Sequence, residues 1–212
     1  MINILMRRIA FICSIILFSS IVYAQGSLLK KGASGIGFQG GVATSSEASS
    51  LSGSVIITLG GIVDIGSSIN SVSPEGRRAK NQTYIAVMAE LYALREDYPR
   101  IPMSISFFGD FSEKEGNRFG SFGMTLYKKA VISKKSFIQP FFSVFKVWST
   151  KFRTPGGVGF GFSFATTGSS KRIFSFTPAV ALTEEINTYG FSFGITFGQT
   201  GYNRNGPPYF EN

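Results

Sequence analysis

A closed, antiparallel, up-and-down β-barrel that spans a membrane is the fold the sequence predicts, on three observations. Residues 189–197 read Tyr-Gly-Phe-Ser-Phe-Gly-Ile-Thr-Phe, and 158–164 read Val-Gly-Phe-Gly-Phe-Ser-Phe. Because successive strand side chains point to opposite faces, each segment has one wall of large apolar groups and one of small, nearly uncharged ones. That pairing suits a lipid-facing exterior around a narrow polar interior. The second observation is composition: 25 Gly and 22 Phe among 212 residues, with only 16% charged, which is low for a water-exposed surface. Third, no stretch beyond the N-terminus approaches the ~20 apolar residues a membrane helix needs. A chain that spans lipid without such helices must close its strands into a barrel, so that every backbone group is satisfied.

The pattern gives ten strands, with eight or twelve left open. The first is 34–45. Strands two (53–59) and three (62–70) flank Gly60-Gly61, a tight-turn dipeptide. The fourth (83–95) aligns Ile85, Val87, Ala89, Leu91 and Ala93, and Tyr98-Pro99-Arg100-Ile101-Pro102 breaks the pattern after it. The fifth (103–112) aligns Met103, Ile105, Phe107 and Phe111, and the sixth (118–129) aligns Phe122, Met124 and Leu126. The seventh (136–148) has Phe137, Phe141 and Phe145 on one side and Ile138, Phe142, Val144 and Trp148 on the other, so alternation alone does not orient it. The eighth is 157–166. In the ninth (172–184), Phe174, Phe176, Val180 and Leu182 share a face, and Pro178 argues for a bulge or an interruption. The tenth (188–198) closes the barrel by pairing with the strand near Ile36 and Phe38. Tyr127, Trp148 and Tyr189 lie near strand ends, where interfacial aromatics and ordinary packing both fit.

The ends of the chain read differently. Arg7 and Arg8 precede the apolar run Ile9–Val22, and Val22-Tyr23-Ala24 precedes an expected cut at Ala24/Gln25. Residues 1–24 are therefore read as a signal peptide, 25–198 as the barrel and 199–212 as a tail. Removing the leader takes away two arginines and the only cysteine, Cys13, so the formal charge falls from +9 to +7. The mature barrel then has no disulfide to use in an oxidising compartment.

With the Ile62-Val-Asp-Ile-Gly66 strand after its tight turn and the Tyr189–Phe197 closing strand in view, the chain resembles small bacterial outer-membrane β-barrels of the broad OmpA/OmpX/OmpW-like group. The resemblance implies a monomer in the outer membrane of a Gram-negative bacterium, inserted by the barrel-assembly machinery. It also implies lipid and lipopolysaccharide as partners. Such proteins often end on an aromatic that closes the last strand. Here Phe197 would be that residue, yet fifteen residues follow it. An even strand number puts both termini on the periplasmic side. The 71–82 and 149–156 connections then lie outside, while 128–136 is long for a periplasmic one.

Candidate functional residues follow from strand parity. Asp64, Glu90 and Asp110 fall opposite the apolar faces and point into the barrel. They either line a cation-preferring pore or pair with inward bases such as Arg95 or Lys129 to fill the lumen, since lone buried charges are costly. Arg77, Arg78, Lys80, Lys151 and Arg153 fall in outer connections, where they contact lipopolysaccharide phosphates or are solvated and anchor the membrane edge. The chain has no histidine, the usual general base at neutral pH, and its one cysteine leaves with the leader. Enzymatic activity, a metal or other cofactor are therefore not expected. Nor is nucleic-acid binding, because the aromatics alternate with glycine on strands rather than interleaving with the bases. The expected role is that of a structural or surface-interaction barrel. A small passive, porin-like channel and a secreted β-sandwich are the alternatives.

Overall fold

The computed structural model describes residues 26–29, 32–74, 81–95, 103–114, 116–133, 135–150, 155–169, 172–184 and 186–198. The expected leader and tail, and Arg77, Arg78, Lys80, Lys151 and Arg153, lie outside them. After a 3-10 turn at Gly26–Leu28 come the strands β1 (Gly35–Ser45), β2 (Ala48–Leu59), β3 (Val63–Pro74), β4 (Gln82–Leu94), β5 (Ser104–Lys114), β6 (Asn117–Tyr127), β7 (Ala130–Ser133), β8 (Ser136–Ser149), β9 (Gly156–Ser169), β10 (Arg172–Thr183) and β11 (Asn187–Gly198). Neighbours in sequence pair antiparallel, β1 pairs with β11, and β6 pairs with β8 around the short β7. The result is a closed up-and-down barrel of ten long strands, which answers the choice among eight, ten and twelve.

Closure is a matter of hydrogen-bond accounting. An open sheet would leave two rows of backbone donors and acceptors in lipid. The β1–β11 seam removes them, running from Gly35↔Gly198 to Ser45↔Thr188, with Ile36 opposite Phe197 and Phe38 opposite Ile195. Local chemistry sets the register of the next hairpin. Gly60 and Gly61 have φ of 58° and 60°, and the Ile62 amide donates to the Leu59 carbonyl at 3.0 Å. That geometry is the turn whose twist matches flanking strands.

The outer wall carries the large alternating residues. Ile85 is 60% exposed and Phe193 59%. In a sandwich these faces would meet in a dry core, so the closed barrel overturns the sandwich alternative. β8 now has an orientation: Phe137, Gln139, Phe141, Ser143, Phe145 and Val147 point inward and are buried.

Two local expectations are corrected. Pro178 causes neither bulge nor break, because the β10–β9 register is the same on either side of it, Phe176↔Phe164 and Ala179↔Gly161. The strand instead spans a short unpaired stretch toward β9 while Pro178 stays in register with Phe191 of β11. The sixth strand does not run to 129, and the 128–136 connection is not a plain loop. Tyr127 faces Phe141, the Lys128 amide donates to the Pro140 carbonyl at 3.2 Å, and Ala130 faces Ile138. β7 therefore continues the register of β6 past a break at Lys128–Lys129, beyond the point where β5 begins at Ser104.

Candidate functional site in the barrel interior

The lumen is built in three zones by the inward halves of the strands. At the end where the chain enters and leaves the barrel, the segment before β1 folds into the mouth. Leu28, Leu29 and Ala33 pack with Phe137, Ala165 and Ile173. Leu29 is fully buried. Its socket exists because two seam partners are glycines: a Cβ at Gly35 would lie 2.8 Å from one Leu29 methyl, and one at Gly198 3.1 Å from the other. Polar groups fix the segment. The Ser27 hydroxyl donates to Gln139 Oε1 at 3.1 Å, and the Gly32 amide donates to the Gly60 carbonyl at 2.7 Å. Arg95, buried just past β4, donates through Nη2 to the Leu29 carbonyl at 2.6 Å and through Nη1 to the Gly61 carbonyl. One guanidinium thus ties the entering segment to the β2–β3 turn.

The second zone holds the carboxylates. Asp64 and Glu90 face each other across β3 and β4, and Thr58 faces Asp64 from β2. The Thr58 hydroxyl donates to Asp64 Oδ1 at 2.6 Å and the Tyr92 hydroxyl to Oδ2 at 2.8 Å. Ser106 donates to Glu90 from β5. Two acids directly opposite on neighbouring strands repel, and hydroxyl donors compensate part of the cost of burying them. Aromatic rings fill the space beside this network. Tyr92 and Tyr127 meet edge-to-face at 6.0 Å, within a cluster that includes Phe108, Phe141, Phe145 and Val147. Glycines on facing strands make room for these rings. A Cβ at Gly123 would approach the Phe108 ring to 2.8 Å, one at Gly161 would approach Phe141 to the same distance, and one at Gly157 would overlap Phe145.

The third zone caps the opposite mouth with Ala48, Val72, Tyr84, Phe119 and Ile186, where Tyr84 and Phe119 pack edge-to-face at 5.5 Å. Asp110 lies between this cap and the aromatic layer, accepting from the Ser121 amide at 3.0 Å and from the Ser121 hydroxyl.

Asp64, Glu90, Asp110 and Arg95 are therefore all buried on the inner face. Asp64 and Glu90 come together, Asp110 has its own donor, and Arg95 holds backbone carbonyls. Lys129 sits at the rim with its ammonium 5.0 Å from the centre of the Phe137 ring. Among the described residues, no three of Asp, Glu, His and Cys are grouped to hold a metal ion. The three end aromatics separate. Tyr189 is exposed on the outer wall and Trp148 stacks on Phe111 at 5.9 Å, whereas Tyr127 is buried inside. Sequence reasoning missed the inward aromatics. Their signal was the doubled pairs Phe107-Phe108 and Phe141-Phe142, which place an aromatic on each face.

No family model matches the chain, and no curated protein matches it. Its structure is similar to that of the COG4313 outer membrane channel from Pseudomonas putida F1, at 10% identity and a TM-score of 0.53, covering 81% of this chain and 96% of that one. Matches are also found to the translocator domain of autotransporter NalP from Neisseria meningitidis (10% identity, TM-score 0.48, 79% and 88% covered) and to the KdgM porin in complex with disordered oligogalacturonate (8%, 0.39, 76% and 98%). The chain thus has the fold of the outer-membrane β-barrels.

Proposed function

We propose that the protein is an integral, monomeric outer-membrane barrel with a non-enzymatic, structural or surface-interaction role. Its lumen is packed shut, and its connecting segments carry whatever specificity it has. The observation that carries this reading is the set of three buried clusters that cross the lumen at its two mouths and between them: the Leu28–Leu29 segment, the Tyr92–Phe145 aromatic layer and the Tyr84–Phe119 cap. Small barrels are filled by side chains in this way. The absence of histidine supports a role without general acid–base chemistry. The expected lipopolysaccharide contacts of the outer connections and delivery by the assembly machinery belong to the same proposal.

Envelope fractionation tests the location. The protein is expected in the detergent-soluble outer-membrane fraction, with a gel mobility that changes on boiling; recovery from the soluble periplasm contradicts the proposal. The buried acids Asp64, Glu90 and Asp110 on the inner wall favour one competing reading, a cation-preferring passive channel. That reading requires a conductance whose ion preference changes on Asp64→Asn or Glu90→Gln, whereas a packed lumen requires none.

A further inference from the structure

We propose that the rim at the end where the chain enters and leaves the barrel is a binding surface for the phosphates of anionic phospholipids in the adjoining leaflet. This rests on the membrane-barrel reading above. Among the described residues the two ends of the barrel differ in charge. The strand ends and turns opposite the termini mix Glu47, Glu113 and Glu184 with Lys114, Arg118 and Lys146, and Arg118 is paired with Glu113 at 3.1 Å. The terminal-side rim carries Lys128, Lys129, Lys135 and Arg172.

Geometry makes this more than a solvated cluster. Arg172 precedes inward Ile173, so it faces outward, and its guanidinium lies 5.8 Å from the centre of the outward Phe197 ring. An exposed guanidinium over an outward ring at the first position of a strand is placed as a side chain that snorkels to headgroups is. Lys128 is exposed opposite outward-facing Pro140. β7 extends the sheet edge past β5, exposing Ile132 at 59% between Lys128 and Lys135. An exposed apolar run flanked by bases at one edge fits the boundary between acyl chains and phosphates. Bases held near an anionic lipid surface are attracted to it.

The test titrates phosphatidylglycerol into the purified full chain in nonionic micelles and reads bound lipid by native mass spectrometry. The variants are Lys128→Gln/Lys135→Gln/Arg172→Gln and, at the opposite end, Arg118→Gln/Lys146→Gln. Each protein is first checked for the heat-dependent gel mobility of a folded barrel, so failure of the barrel reading and failure of the lipid site are read separately. The rim variant is expected to bind phosphatidylglycerol about tenfold more weakly than wild type, and the opposite-end variant within about twofold. Wild-type affinity is expected to fall as salt rises and to exceed that for phosphatidylcholine. Equal binding by the rim variant, an equal loss in the opposite-end variant, or a salt-independent wild-type affinity would overturn the proposal.

Discussion

At the scale of single residues, Arg95 and Leu29 decide how the terminal mouth is closed. Arg95→Met removes a charged donor from two buried carbonyls, those of Leu29 and Gly61. It should cost about 2–3 kcal/mol, seen as a lower urea midpoint in tryptophan-fluorescence unfolding from vesicles. Leu29→Ala empties a socket made by Gly35 and Gly198 and should cost about 2–5 kcal/mol by the same assay. Tyr92→Phe leaves Asp64 Oδ2 without the 2.8 Å donor. A loss of about 1–3 kcal/mol is expected, with the heat-dependent mobility kept. Strand parity placed Asp64, Glu90 and Asp110 on the inner face, but it carries no information about distance. It could not show that Asp64 and Glu90 face each other, or that the hydroxyls of Thr58, Tyr92 and Ser106 donate to them. Arg95 was legible as an inward base. Its carbonyl partners were not, because they belong to a turn and to a segment remote in sequence.

Among the elements, β8 and β9 show how far alternation reaches. β9 was plain from its Gly-x-Gly texture, whereas β8 has apolar residues on both faces and could not be oriented. The answer lay in the pairing: Phe141 faces Gly161 and Phe145 faces Gly157, so the rings on one strand need the glycines on the next. Gly161→Ala should therefore cost about 1–3 kcal/mol through overpacking against Phe141, measured as a reduced unfolding midpoint. Gly53→Ala, where no atom lies within 4 Å of the added methyl, should change little. Pro178 was read from a local rule that assumes every strand position must donate. β10 keeps its register because its pairs on either side hold it. The break at Lys128–Lys129 was invisible for the opposite reason, since β7 is stabilised by β8 and has no periodicity of its own to detect.

For the whole molecule, fold class was the most legible level, because a barrel's two walls repeat in every strand and each repetition adds evidence. The ends were the least legible: a short apolar pair, Leu28-Leu29, gives no periodic signal, yet it fills a mouth of the barrel. The lipid-facing wall makes a prediction of its own. Phe193→Arg places a charge mid-strand on that wall and should cost about 2–4 kcal/mol in vesicles, read as a lower urea midpoint. The same replacement at Lys128, already at the rim, should be near neutral. A bilayer-spanning barrel whose lumen is packed shut is tested most directly by planar-bilayer recording of the heat-shifted, folded protein. Inserted wild-type barrels are predicted to give no discrete conductance steps, and reproducible steps with an ion preference that changes on Asp64→Asn would contradict it.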